Sequence, residues 1–298
     1  MAPLPLRHLL LALAVVAIWG SNFVVIKYAL HTLPPLTLAV LRFSLAFVPA
    51  CFFLRRPAVG WRNLAGYGLL IGVGQFGLLY LAMRSQISPG LASLVVQTQV
   101  FFTLLLAVRV RRERVLGTQW LGLALAAGGV ALIASHTDGS TTPLGVAMVL
   151  AAAFSWACAN LLTQRAGRID MLAYVVWSSA FAVQQLLLLA LLIDGPPQVL
   201  AGIAAADLGT WAAVLWQAVG NTLFGYGVWS WLLARHAAGR IVPMALLVPV
   251  FGLGSASLLL GEPMPGWKLL AAALVLTGLA INLFGPQLLR RRHGPTQG

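Results

Sequence analysis

The feature that most constrains this chain is a series of ten apolar segments, each about 18 or more residues long, separated by short connections. A helix of about 20 apolar residues crosses the hydrocarbon core of a bilayer. Of the 298 residues, 60% are hydrophobic and 8% are charged, whereas a soluble domain carries roughly 25% charged residues. We therefore predict an all-α membrane protein with ten transmembrane helices and no room for a soluble catalytic domain.

Proline, glycine and charged residues mark the ends of the predicted spans. The predicted spans are Leu9–Lys27, Leu36–Leu54, Leu64–Met83, Gly90–Val108, Leu116–Ala134, Leu144–Thr163, Leu172–Ile193, Leu208–Leu233, Ile241–Leu260 and Trp267–Phe284. The longest connection runs from Asp194 to Asp207 and contains Gly and Pro, which predicts a loop.

The basic residues predict how the spans are oriented. The chain has 19 basic and 6 acidic residues, a formal net charge of +13. If the N-terminus is cytoplasmic, all basic residues except Lys27, Arg42, Arg84 and Lys268 fall in cytoplasmic segments, as the positive-inside rule requires. An even number of spans also places the C-terminus in the cytoplasm. The excess positive charge is thus an orientation signal, and no nucleic-acid partner is predicted.

The reactive residue types favour neither a metal site nor an enzyme. Cys51 and Cys158 lie in apolar segments, and the five histidines have no i, i+4 pairing that would form a metal site on a helix. The six acidic residues are scattered. We predict no cofactor and no metal. A channel and a membrane-embedded enzyme stay as alternatives to a carrier, although the sequence has no ring of charges and no clustered catalytic set.

An internal repeat divides the chain into residues 1–137 and 138–298. Four residues of the first half recur in the second half with a displacement of 149 positions: Gly90, Glu113, Gly117 and Gly129 correspond to Gly239, Glu262, Gly266 and Gly278. Each half then contains five spans, and an odd number forces the two copies into opposite topologies. Inverted repeats of this kind place the substrate site near the midplane at their junction.

Five segments of the chain resemble the two EamA-type repeats of the drug/metabolite transporter superfamily. They are WGSNFVVIKYAL (Trp19–Leu30), PPLTLAVLRF (Pro34–Phe43), SPGLASLVVQTQVFFTLLLA (Ser88–Ala107), AFSWACANLL (Ala153–Leu162) and LLVPVFGLGSASLLLGE (Leu246–Glu262). Within that superfamily the chain most resembles bacterial amino-acid exporters of the cysteine/O-acetylserine and aromatic amino-acid types. The resemblance implies a ten-helix exporter of amino acids or similar zwitterions in the inner membrane; an exporter of drugs or other metabolites is the alternative.

Polar and aromatic side chains within the spans are the candidate substrate-binding residues, because such groups usually face the bundle interior or a cavity. The candidates are Asn22, Arg42, Gln75, Tyr80, Gln97, Gln99, Trp156, Asn160, Trp177, Asn221, Tyr226 and Trp229. Each single amide has the alternative role of hydrogen-bonding a neighbouring helix. Gln97 and Gln99 do not share a helix face, so we expect one to line the cavity and the other to hold a neighbouring helix.

Arg42 is the charged candidate, and two positions are open to it. It lies about 10 Å into its predicted span, from the rise of 1.5 Å per residue, so its side chain either snorkels to the outer surface or stays available to a substrate carboxylate. None of the six acidic residues lies within a predicted span. Because proton-coupled carriers generally have an intramembrane acid or histidine relay, we predict a facilitator or exchanger of small zwitterions. The expected partners are the bilayer and the solute, with the chain a monomer or weak homodimer.

Overall fold

All regular structure in the described part of the chain is helical. The structure is a computed structural model that describes residues 4–111, 116–136, 141–167 and 169–292. Glu113 and the repeat boundary at residues 137 and 138 therefore lie outside the described residues. Within them, nine segments have the length and composition of membrane spans: Leu6–Ala29, Pro35–Phe52, Trp61–Ser85, Pro89–Val110, Gly117–Ser135, Pro143–Arg165, Met171–Ile193, Gly239–Leu260 and Gly266–Gly285. Together with Leu208–Arg235 they are numbered spans 1 to 10 in chain order, so that Leu208–Arg235 is span 8.

Span 8 is preceded by a short helix where a loop was expected. The prediction of a loop from Asp194 to Asp207 is wrong, since Pro196–Ala205 forms a helix bent by 104° from Leu208–Arg235. Gly195, with φ of 80°, allows the chain to turn after span 7. Pro196 lies in the first turn, where a missing N–H costs nothing, and Asp207 caps the next helix by accepting from the Thr210 backbone N–H over 2.7 Å.

The contacts between spans follow the symmetry expected of an inverted repeat. Span 1 packs on span 9, and its equivalent, span 6, packs on span 4. Span 3 packs on span 6, and correspondingly span 8 packs on span 1. The pairs 2 with 7 and 5 with 10 map onto themselves and are also in contact. This pattern is what a pseudo-two-fold relation between two five-helix halves produces.

Spans 3, 4, 8 and 9 depart from regular α-helix in repeat-related pairs, and span 2 ends in the short 3₁₀ segment Ala50–Phe52. Spans 3 and 8 contain the π-helical segments Leu69–Gly77 and Trp216–Phe224. Spans 4 and 9 contain the 3₁₀ segments Val96–Thr98 and Val242–Leu247. Such segments are rare inside long helices and occur often at functional sites. They direct attention to the region between spans 3, 4, 8 and 9.

Glycines let several of these helix pairs approach closely, as is common in membrane bundles. A Cβ atom on Gly122 of span 5 would lie 2.6 Å from the carbonyl oxygen of Gly278 in span 10. A Cβ on Gly72 of span 3 would lie 2.5 Å from the Cβ of Ala182 in span 7. Larger side chains at these positions would separate the helices.

A buried carboxylate joins the loop before span 10 to the start of span 4. Glu262 is 8% exposed; it accepts from the Gly90 backbone N–H over 3.0 Å and from Lys268 Nζ over 3.1 Å. The Ser88 hydroxyl also donates to it. Since Ser88 is the residue before the span 4 helix, the carboxylate lies at the positive end of that helix. Lys268 is completely buried, so the pair is an interior one.

The Glu262→Gln variant is expected to lose stability, because it withdraws a charge from buried Lys268. Breaking a buried ion pair costs about 3–5 kcal/mol, which should clearly lower the apparent melting temperature of the protein in detergent. Asp170→Asn is the matched control, since the exposed Asp170 caps span 7 and asparagine caps equally well. Equal melting temperatures for the two variants would contradict the structural role of the pair.

Candidate functional site

Arg42 lies in the interior of the bundle. Only 1% of its surface is exposed, and it occupies the middle of helix Pro35–Phe47. The snorkelling position is therefore wrong, because neighbouring spans enclose the guanidinium group and supply its hydrogen bonds. Arginine is not deprotonated in proteins, so the bundle holds a permanent positive charge. Charges at such depth are expensive and are a hallmark of functional sites.

Two hydroxyl groups orient their lone pairs towards this charge. Arg42 Nη1 donates to the Tyr80 hydroxyl over 2.8 Å, and Nη2 donates to Thr222 Oγ1 over 3.3 Å. The Tyr80 hydroxyl donates its own proton to Gln217 Oε1 over 2.5 Å, and Thr222 donates to the Gln217 carbonyl over 2.9 Å. Because both protons are committed to Gln217, both hydroxyl oxygens are acceptors towards Arg42. The network joins spans 2, 3 and 8.

Aromatic rings complete the surroundings of the guanidinium group. Its central carbon lies 3.8 Å from the centre of the Phe76 ring and 5.4 Å from that of Phe43. Ring faces stabilise a desolvated cation, but they do not neutralise it. Among the described residues, no carboxylate pairs with Arg42, and its buried Nε has no hydrogen-bond partner. The arrangement therefore has the charge and the free donor with which to bind an anion.

Several amide side chains within the spans have hydrogen-bonding capacity left over, among them Asn22, Gln75 and Gln97. Asn22 and Gln75 are 3% and 4% exposed, and their buried side-chain oxygens have no partner in the described structure. Gln97, in the 3₁₀ segment of span 4, makes no side-chain hydrogen bond within the described residues. Unsatisfied buried polar atoms are costly, so these amides are available to a solute or water.

An aromatic group joins spans 1 and 8. Tyr226 lies within electrostatic range of Arg42 and of Tyr67. Its ring centre is 5.7 Å from that of Trp19, which in turn lies 5.1 Å from the ring of Trp229. The Trp19 indole donates to the carbonyl of Asn221 over 3.1 Å, which holds spans 1 and 8 together. The structure thus brings Tyr80 to Arg42, and the contacts of Trp19 join Tyr226 and Trp229 into one aromatic group.

Other candidates from the sequence make contacts between helices. Asn160 Nδ2 donates to Gln99 Oε1 over 3.0 Å and to Thr103 over 3.2 Å, which joins spans 4 and 6. Trp177 donates to the carbonyl of Leu54 over 3.0 Å, at the end of the bundle that carries most of the basic residues. Trp156 is half-buried against the main core. These residues are not part of the hydrogen-bond network around Arg42.

The two π-helical segments also correspond in sequence. Val73, Gly74, Gln75 and Tyr80 recur 146 positions later as Val219, Gly220, Asn221 and Tyr226. In spans 2 and 7, a displacement of 138 pairs Phe43 with Phe181 and Arg42 with Ala180. The site is therefore built from repeat-related polar and aromatic residues, and its positive charge comes from one repeat alone.

Three residues of the network were absent from the sequence-based candidates. Gln217 and Thr222 bind the Tyr80 hydroxyl and Arg42, and Phe76 lies under the guanidinium group. The correspondence of 146 positions between spans 3 and 8 is a sequence signal that could have directed attention to this region. It places Thr222 beside Asn221, the repeat partner of Gln75.

Comparisons with known proteins agree with this architecture. Residues 6–135 and 143–284 each match the model of the EamA-like transporter family. A Salmonella typhimurium protein named "Probable amino-acid metabolite efflux pump" is 45% identical, covering 92% of this chain and 94% of that protein. An Escherichia coli protein of the same name is 43% identical with the same coverage. A crystal structure that is 17% identical has a TM-score of 0.62 and covers 96% of this chain and 99% of its own, which shows the fold.

The Tyr80→Phe variant tests the network around Arg42. It removes an acceptor from a buried cation and a donor from Gln217, and leaving such groups unsatisfied costs about 1–3 kcal/mol. We expect a lower melting temperature. The control is Tyr226→Phe, the repeat-related position, whose hydroxyl makes no hydrogen bond to the described residues. A Tyr80→Phe protein as stable as this control would show that the network does not hold the spans together.

Proposed function

This chain belongs to the EamA-like transporter family, and from that premise we propose that it exports amino acids or related small zwitterionic metabolites across the bacterial inner membrane. The two relatives named as probable amino-acid metabolite efflux pumps, at 45% and 43% identity, support the substrate class. The termini are cytoplasmic in this proposal. Residues 1–137 and 138–298 form the two halves, and the unit is a monomer or weak homodimer.

The observation that carries this proposal is a buried Arg42 without an acidic partner among the described residues. A permanent cation in the bundle gains most from an anionic ligand, because Coulomb attraction is strong where water is excluded. The carboxylate of an amino acid supplies that anion. Its ammonium group would be accepted by the free oxygens of Asn22 and Gln75 and by the ring face of Tyr226, which attracts cations.

The further candidate residues have two proposed roles. We propose that Gln97, Tyr80, Asn221 and Trp229 surround the path of the solute, with Trp156 at its edge. Gln99 and Asn160, joined by a hydrogen bond of 3.0 Å, hold spans 4 and 6 together, and Trp177 closes the basic end through Leu54. Alternating access then requires one half to rock against the other, with the irregular segments of spans 3, 4, 8 and 9 taking up the change.

An exporter of drugs or other metabolites on the same fold is the second candidate. The feature that separates the two is the buried charge of Arg42, which is not paired with a carboxylate among the described residues, since drugs recognised by apolar contact do not need it. A panel of L-cysteine, O-acetyl-L-serine, L-threonine and L-phenylalanine, competed against a hydrophobic cationic dye, distinguishes them. Inhibition of amino-acid transport by the other amino acids but not by the dye supports the proposed function.

Counterflow in proteoliposomes tests the role of Arg42. We expect Arg42→Gln to lower kcat/KM for the preferred amino acid at least tenfold. Wild type should prefer the amino acid over its methyl ester, which lacks the carboxylate, and the variant should lose that preference, because a site that pairs with a charged group rejects analogues lacking it. Arg62→Gln, an exposed arginine on the basic end, is the matched control. Unchanged counterflow and selectivity in folded Arg42→Gln protein would contradict the proposed role of Arg42.

Energy coupling gives a separate prediction. The network around Arg42 contains tyrosine, threonine and glutamine but no carboxylate or histidine, so it lacks the relay typical of proton-driven carriers. We expect facilitated exchange whose steady-state accumulation is unaffected by an imposed pH gradient. Uphill accumulation that follows the gradient and collapses with a protonophore would contradict this mechanism.

A further inference from the structure

A second site lies at the end of the bundle that carries few charges, termed the low-charge face and defined by residues 30–34, 85–88, 194–207 and 261–265. A pocket of about 550 Å³ opens there between the turn Leu30–Pro34 and one side of the helix Pro196–Ala205. Its volume is within the range of small-molecule sites, roughly 300–1,000 Å³. Arg84 and Asp194 line it. Neither Tyr80 nor Thr222, which hydrogen-bond Arg42, lines this pocket.

Asp194 lines this pocket, and its carboxylate has no hydrogen-bond or ion-pair partner in the described part of the chain. It ends span 7, its residue is half-buried, and its buried Oδ2 accepts no hydrogen bond from the described residues. Burial raises the pKa of this carboxyl group, and the positive charge of Arg84 opposes that rise. The backbone N–H groups of Asp194 and Gly195 both donate to the carbonyl of Ala190. The local backbone therefore leaves the carboxylate without compensation.

Arg84 presents the opposite charge. Lys27 fixes the backbone at this position, because its Nζ donates to the carbonyls of Met83 and Arg84 over 3.0 Å each. The Arg84 side chain is exposed and makes no hydrogen bond or ion pair with the described residues. Two opposite charges thus line one pocket, close enough to influence each other but too far apart for an ion pair.

We propose that this pocket binds a zwitterion, with its primary ammonium group on Asp194 and its anionic group on Arg84. A zwitterion satisfies both charges at once, whereas a simple cation or anion satisfies one and leaves the other. Arginine suits carboxylate and phosphate oxygens through its paired N–H donors. The same chemistry occurs in a free amino acid and in the phosphoethanolamine headgroup of a lipid.

If the ligand is an amino acid, the inference rests on the proposed function and adds a second binding site for the transported solute. Pro34 lines the pocket and immediately precedes the helix that holds Arg42. Arg42 lies eight positions after Pro34, a distance of about 12 Å along a helix at 1.5 Å per residue. The pocket would therefore receive a solute on its way to or from Arg42, and it would retain binding when the central site is disabled.

Equilibrium binding of radiolabelled L-phenylalanine and L-threonine to protein in phosphatidylcholine nanodiscs tests the pocket. The Arg42→Gln background isolates it, so that failure of the transport proposal does not remove the signal. We expect Asp194→Asn and Arg84→Gln each to weaken binding at least tenfold. Amino-acid amides lack the carboxylate and N-acetyl amino acids lack the ammonium group; Arg84→Gln should lose discrimination against the amides, and Asp194→Asn against the N-acetyl compounds.

Asp207→Asn is the matched control, since Asp207 lies on the same face and caps span 8 through Thr210, and it does not line the pocket. Its binding should equal that of the background protein. Nanodiscs containing phosphatidylethanolamine distinguish the two sources of the zwitterion. If this lipid competes with the amino acid, or if the protein retains this lipid alone in a manner that depends on Asp194 and Arg84, the ligand is the lipid headgroup. No binding of either compound that depends on these two charges overturns the proposal.

Discussion

The buried guanidinium group of Arg42 is the interaction on which the rest of this structure depends. A charge in the interior of a membrane bundle is tolerated only when its donors are met by well-placed acceptors. Tyr80 and Thr222 provide these acceptors from spans 3 and 8, and Gln217 orients both hydroxyl groups by accepting their hydrogen bonds. Side chains of three helices thus surround one guanidinium group, and its Nε has no hydrogen-bond partner among the described residues.

The irregular helices explain how those acceptors reach Arg42. Gln217 and Thr222 both lie within the π-helical segment of span 8, and Thr222 donates to a carbonyl five residues earlier. The wider turn aligns residues five positions apart, which a regular α-helix does not do. The corresponding segment of span 3 ends just before Tyr80. The two repeats therefore contribute equivalent distortions to one site, and the charge breaks their equivalence.

The sequence predicted the spans and the repeat because hydrophobicity and the recurring positions of Gly and the rare Glu are read directly along the chain. The sequence did not decide whether the Arg42 side chain snorkels or stays buried. Both arrangements start from the same backbone position in the helix, and they differ only in which hydrogen-bond acceptors the neighbouring spans place around the guanidinium group. Thr222 lies 180 positions from Arg42, and Gln217 lies 137 positions from Tyr80. No local sequence pattern therefore reveals these partners. The helix Pro196–Ala205 was missed for another reason: Gly and Pro, which indicated a loop, also begin a helix.

The proposed central site and the proposed pocket on the low-charge face differ by one charge, and that difference has a physical consequence. Arg42 and Arg84 each offer a positive charge to a carboxylate, but only the pocket on the low-charge face adds a carboxylate, that of Asp194, for an ammonium group. The central site offers neutral amide oxygens instead. Under the proposed function, an amino acid at the central site would be held mainly by its carboxylate, which would leave its side chain and ammonium group free to adapt. A permanent charge for one end and adaptable amides for the other would then recognise the backbone of an amino acid without strict selection of its side chain.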